Sequence, residues 1–193
     1  MNQNEITVKI NCTLDELHNI LLDKGFSISK SFNMKDTYFI PTSLHTENLS
    51  SREILKSAIL IRDLTWPSEN KTLALLTHKQ KEFDEFGNIT FQKSTNCKVF
   101  DVVETENFIK CLNYKILMKL EETTNVYKKG NLELAVKDIK DGDNLIEVEA
   151  THEEEMNSVE KLINSINKLN IPIDTSNYFV KKAELALDKQ LRK

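Results

Sequence analysis

The chain is poor in the residues that mark most specialised sequences. It holds three cysteines, Cys12, Cys97 and Cys111. An odd number with no Cys-x-x-Cys pair points to neither a disulfide framework nor a zinc site, and suits small thiols kept reduced in a cytosol. Four glycines and three prolines make no low-complexity linker, so the 193 residues read as a single domain over 1–193. No run approaches the ~20 apolar residues of a membrane-spanning helix. The opening, Met1 to Glu5, is polar and lacks a signal-peptide core. A cytoplasmic protein with no membrane partner is expected. Basic excess is missing too: a net charge of −4 supplies no global field to recruit nucleic acid. Any polyanion has to be held by a local cluster of Lys and Arg. The abundance of Asn, Lys and Ile points to an AT-rich, bacterial genome.

What is present is periodicity. Glu5 to Cys12 alternates strictly, with Ile6, Val8, Ile10 and Cys12 on one side and Glu5, Thr7, Lys9 and Asn11 on the other, which predicts a strand. Thr13 has N-cap chemistry for a helix carrying Leu14, Leu17, Leu21 and Leu22, with Gly25 as its stop. Phe26 to Ile40, Ser57 to Leu64, Lys71 to Lys79 and Asn88 to Lys93 read as strands. The breaks between them are Pro41 with a polar loop over 42–51, Trp66-Pro67-Ser68 and the turn Glu85 to Asn88. Glu104 to Leu112 reads as a helix. Lys115 to Tyr127, Leu132 to Ile139 and Leu145 to Ala150 read as strands joined by tight turns. Two amphipathic helices, Glu153 to Leu169 and Ser176 to Leu191, close the chain. Each half runs from a helix through a short motif into a long strand, and two such halves suit one barrel. The fold class expected is α+β: a closed antiparallel eight-stranded β-barrel with helices packed outside.

The polar strand faces carry the functional argument. Glu147 and Glu149 oppose Ile146 and Val148. Lys119 and Glu121 oppose Met118 and Leu120. Glu133 and Lys137 oppose Leu134 and Val136, and Arg62 opposes Ile61. An open sheet would simply turn these charges to water. A closed barrel would line a tunnel with them, where charges are costly unless paired or liganded. There Lys and Arg would meet phosphate oxygens and carboxylates would hold Mg2+ or Mn2+. Pattern alone leaves both arrangements open. His18, His45 and His152 have no useful spacing and are expected at the surface, with His78 turned away from Lys79.

Several local motifs then fall in a familiar order. Glu5-Ile-Thr-Val-Lys9 resembles the Glu-x-Glu-x-Lys signature of the CYTH superfamily. Lys35-Asp-Thr-Tyr-Phe-Ile-Pro-Thr42 resembles that family's Asp-Thr-Tyr-Phe-Asp-Thr-Pro segment. Ala58 to Arg62, Leu75 to Lys79, Ile146 to Glu149 and Ser176-Asn-Tyr178 resemble its later strands and the opening of its last helix. The family includes class IV adenylyl cyclases, thiamine triphosphatases and bacterial tripolyphosphatases, the triphosphate tunnel metalloenzymes. The resemblance implies a metal set of Glu5, Glu147 and Glu149, and a phosphate-binding set of Lys9, Arg62, Lys79 and Lys119. No catalytic residue is assigned. The chain departs from the pattern at Thr7, Leu60, Glu121 and Lys137. Glu121 stands where the family has a cation and Lys137 near where it has an anion, so the two are expected to form a salt bridge.

These residues imply a Mg2+- or Mn2+-dependent phosphohydrolase acting on an inorganic or organic triphosphate. One alternative is a catalytically impaired CYTH-like protein that binds a polyphosphate or other anion. Another is a class IV adenylyl cyclase. The partner in each case is a small molecule.

Overall fold

The computed structural model describes residues 5–56, 58–83, 89–151 and 158–191. The turn expected at Glu85 to Asn88, the first turn of the helix expected from Glu153, and His152 lie outside the described residues. The elements in chain order are β1 (Glu5–Lys9), α1 (Leu14–Asp23), β2 (Ser27–Pro41), α2 (Ser51–Lys56), β3 (Ile59–Trp66), β4 (Lys71–Phe83) and β5 (Ile89–Val99). They continue with α3 (Val102–Cys111), β6 (Tyr114–Lys129), β7 (Leu132–Ile139), β8 (Leu145–Glu149), α4 (Val159–Lys168) and α5 (Lys182–Leu191). The strands form one eight-stranded sheet in the order β1-β8-β7-β6-β2-β3-β4-β5. The fold is α+β and antiparallel, as the periodicity indicates. The order starts at β1 and ends at β5, and no ladder joins those two strands among the described residues.

The chain separates into two compact units, whose boundaries fall inside β2 and β6. The first comprises residues 3–32 and 122–181. Here alternation sorts the strands cleanly. Ile6, Val8, Leu134, Val136, Ile146 and Val148 turn to one face, where they bury against Leu17 and Leu21 of α1 and Leu162 and Ile166 of α4. Fully burying each such side chain is worth about 1.5–3 kcal/mol, and the loss of that burial is what a one-residue register slip would cost. α1 starts with a capping box: the Thr13 amide donates to Glu16 Oε2 at 2.9 Å and the Glu16 amide to Thr13 Oγ1 at 3.2 Å. It stops at Gly25, whose φ of +82° is open to glycine and strained for residues with a Cβ. His18, expected at the surface, is half-buried, with Nδ1 2.8 Å from the hydroxyl of the buried Tyr127.

The free edge of β1 is taken up in the same unit. The Thr7 amide donates to the Tyr178 carbonyl at 2.9 Å, and the Val180 amide to the Thr7 carbonyl at 3.1 Å. The Asp174 amide donates to the Lys9 carbonyl at 2.9 Å. This corrects the expected helix over Ser176 to Leu191. Residues 178–180 satisfy their backbone on β1 instead, and the helix starts only at Lys182.

The second unit comprises residues 33–121 and 182–193. Its sheet is covered on both faces. Phe39 and Ile61 pack with Ile109 of α3. On the other face Tyr38, Ile40, Leu60, Met118 and Leu120 pack with Ile54 of α2 and Leu187 of α5. α2 occupies a segment for which the sequence offered no element. It is tied to α5 by Arg52 Nη2 to Glu184 Oε2 at 3.0 Å and by the Ser51 hydroxyl donating to Asp188. No helix among the described residues is long and apolar enough to cross a membrane.

Candidate metal centre

In the first unit the strand ladder assembles the expected carboxylates. β1 and β8 pair with Glu5 opposite Glu149 and Thr7 opposite Glu147. Residues opposite one another in a ladder project from the same face, so all three glutamates leave the sheet on the side away from α1 and α4. Each offers an oxygen, and the three oxygens lie within 4.8 Å of one another. The crowding has an electrostatic signature. Loss of hydration, then the nearby charges of Glu147 and Glu5, raises the pKa of Glu149 above its ordinary value of 4.5. Lys137 pulls it back only in part. A site that raises the cost of its own negative charge favours a bound cation. Metal–oxygen distances of about 2.0–2.6 Å allow ligand oxygens up to about 5 Å apart on one ion. The donors are hard oxygens of the kind Mg2+ and Mn2+ take. The residues fit the group.

Lys137 belongs to this cluster through the next ladder. Glu147 stands opposite Ala135 on β7, and Leu145 opposite Lys137. The small Ala135 leaves the diagonal open, and Lys137 Nζ reaches Glu147 Oε2 at 2.6 Å, with the lysine side chain 12% exposed. The ladder between β6 and β7 puts Thr124, not Glu121, opposite Lys137. Glu121 lies three residues before Thr124, an odd step that turns its side chain to the other face. The register thus turns Glu121, expected to bridge to Lys137, to the opposite face, and within this unit Lys137 pairs with Glu147. Lys9, on the same face as Glu5, contacts Asp143 Oδ2 at 2.8 Å in the turn between β7 and β8.

The other expected cations lie in the second unit, with Arg62 and Lys119 on opposite faces of its sheet. Arg62 stands opposite Asp36 and donates from Nε and Nη2 to its two carboxylate oxygens, both at 2.8 Å. Asp36 is 1% exposed, and Lys182 at the start of α5 brings Nζ to 3.6 Å from it. Lys79 pairs with Ser94 on β5 and stands two residues after Thr77, which is opposite Leu60. The side chain of Lys79 is outside the described residues. Lys119 is exposed and 3.9 Å from Glu106 of α3, on the face opposite Arg62. Three participants went unassigned in the sequence. Asp36 sits inside the Asp-Thr-Tyr-Phe motif, and its parity with Tyr38 and Ile40 could have matched it to Arg62. Asp143 lies in a turn, and Lys182 at a helix start that sequence placed six residues too early; neither carried a signal.

No family model matches the sequence, and no curated protein does. Solved structures do match. The PH1819 protein from Pyrococcus horikoshii is 18% identical, with 97% of this chain and 99% of that chain covered and a TM-score of 0.69. A protein from Vibrio parahaemolyticus named as a candidate adenylate cyclase is 10% identical over 94% of this chain and 95% of that one, with a TM-score of 0.61. The chain has their fold. A second candidate adenylate cyclase, from Bacillus halodurans, is 12% identical over 94% of this chain and 96% of that one, with a TM-score of 0.51. At such identities the likeness speaks to architecture, and the chemistry rests on the residues themselves.

Proposed function

We propose that the protein is a CYTH-like, divalent-metal-dependent phosphohydrolase acting on inorganic or organic triphosphates in the cytoplasm, with the charged sheet face enclosed as a barrel tunnel. The observation that carries the reading is the meeting of Glu5, Glu147 and Glu149, with oxygens within 4.8 Å of one another. These three would hold Mg2+ or Mn2+. When bound, the ion supplies positive charge to phosphate oxygens and lowers the pKa of water. Lys9, on the same face, offers an ammonium to a phosphate oxygen if Asp143 releases it. Arg62 and Lys79 belong to the phosphate-binding set that the family resemblance implies, and Lys119, which leaves the sheet on the face opposite Arg62 and meets Glu106, would drop out of it.

A second reading is a catalytically impaired member that binds a polyphosphate without cleaving it. The specific observation in its favour is Arg62, whose guanidinium is held on both oxygens of a buried Asp36. A fork already matched to a carboxylate must exchange it to grip phosphate.

The test is phosphate release from tripolyphosphate, thiamine triphosphate and ATP, with Mg2+ and with Mn2+, alongside Glu147→Gln. Metal-dependent turnover that Glu147→Gln abolishes supports the hydrolase. Binding without turnover selects the second reading. Cyclic AMP formed from ATP would make the protein a cyclase instead.

A further inference from the structure

Resting on the reading of the three glutamates as a cation site, we propose that Lys137 is a built-in competitor for that cation. Its ammonium holds Glu147 in the cation-free protein and has to release that carboxylate when a divalent ion enters.

The geometry is that of an occupied ligand. Lys137 Nζ lies 2.6 Å from Glu147 Oε2, the oxygen-bearing group that would serve the ion, and the two side chains are 12% and 22% exposed. An ammonium and a divalent cation cannot both sit against one carboxylate oxygen without strong repulsion at low dielectric. Lysine suits a displaceable role, because its charge rides on a flexible four-carbon stem rather than a rigid fork. Arrangement on the sheet explains why this lysine reaches the cluster. Ala135, opposite Glu147, fills none of the space through which the side chain of Lys137 runs.

The affinity of the centre for a divalent ion is held down by its own lysine, and the buried Glu122 of β6 is a further carboxylate diagonal to Lys137 on the same face. Releasing a charge-assisted contact costs on the order of 1.5–3 kcal/mol, so removing the competitor should tighten binding by about 10–100-fold.

The test is Mn2+ binding by calorimetry to the full chain, comparing wild type with Lys137→Met and Lys137→Arg. Mn2+ should bind wild type, Lys137→Met should bind it about 10–100-fold more tightly, and Lys137→Arg should stay close to wild type. Equal affinity in wild type and Lys137→Met, or weaker binding in the variant, overturns the competitor while the cation site stands. Absence of Mn2+ binding to any of the three overturns the cation site itself. A measurement that needs no variant guards against a destabilised one: amine acetylation of wild type followed by mass spectrometry. Lys137 should be protected without Mn2+ and modified faster with it. Unchanged reactivity at saturating Mn2+ refutes displacement.

Discussion

Replacing Asp36 with asparagine should cost more stability than any other single exchange of one heavy atom in the second unit. Asp36 is 1% exposed and accepts two bonds of 2.8 Å from Arg62. Lys182 adds a second cation at 3.6 Å. Asparagine keeps the shape and one acceptor oxygen, but it turns an NH2 towards a guanidinium and leaves two cations around a neutral group. Breaking a buried ion pair from one side costs about 3–5 kcal/mol, and the retained acceptor places this exchange near the lower end, about 3 kcal/mol. For a chain of this size that is a fall in Tm of about 6–12 °C. In urea the midpoint should drop by roughly 1–1.5 M at constant slope, read by circular dichroism at neutral pH. Adding Arg62→Met to Asp36→Asn should recover part of the loss, because the orphaned guanidinium goes with it. A loss below about 1 kcal/mol, with no coupling between the two positions, would show that Asp36 is not holding a desolvated pair and would refute the reasoning.

Other outcomes follow from the same geometry. Because the pKa of Glu149 is raised in the folded chain, the folded state binds more protons than the unfolded one just above the ordinary value of 4.5. Stability of the cation-free protein should then fall as pH rises from that value through the raised one, and Glu149→Gln should remove this fall in melting curves recorded with a chelator. Saturating wild type with Mn2+ at about 100 times its Kd should add about 2.7 kcal/mol, a rise of roughly 5–10 °C, absent in Glu149→Gln. Thr13→Ala deletes the hydroxyl half of the α1 capping box and should cost about 1 kcal/mol, seen as a small drop in Tm. Gly25→Ala forces a Cβ into a φ of +82° and should destabilise by about 1 kcal/mol, whereas an exposed site such as Asn19 changed to Ala should not.

The parts of the fold that were legible share one property: a local pattern decides them. β1 and β8 declare their faces because every second residue is apolar and a helix covers that side. The trio of Glu5, Glu147 and Glu149 was therefore reachable from sequence, since parity places all three on the remaining face and the resemblance places the strands near one another. α1 was legible down to its cap, because Thr13 and Glu16 bond each other across three residues. The tail was not. Nothing in Ser176 to Val180 signals that its backbone will bond to Thr7, more than 160 residues earlier, and helical periodicity running through Phe179 and Val180 disguised an extended segment as the first turns of α5.

The same distinction explains the error at Lys137. Pairing across a hairpin depends on the turn, and Lys129 opposite Leu132 fixes the whole register of β6 and β7. Counting from that pair puts Thr124 against Lys137 and gives Glu121 the wrong parity, so no adjustment of side chains could bring it to the same face. On its own face the lysine has two carboxylates at diagonal positions, Glu147 of β8 and the buried Glu122 of β6, and its ammonium reaches Glu147 at 2.6 Å. A family pattern read motif by motif treats a lysine at an acidic position as a loss. The register shows an ammonium placed among the carboxylates that a cation would use, and this is why its removal is predicted to strengthen cation binding rather than weaken it.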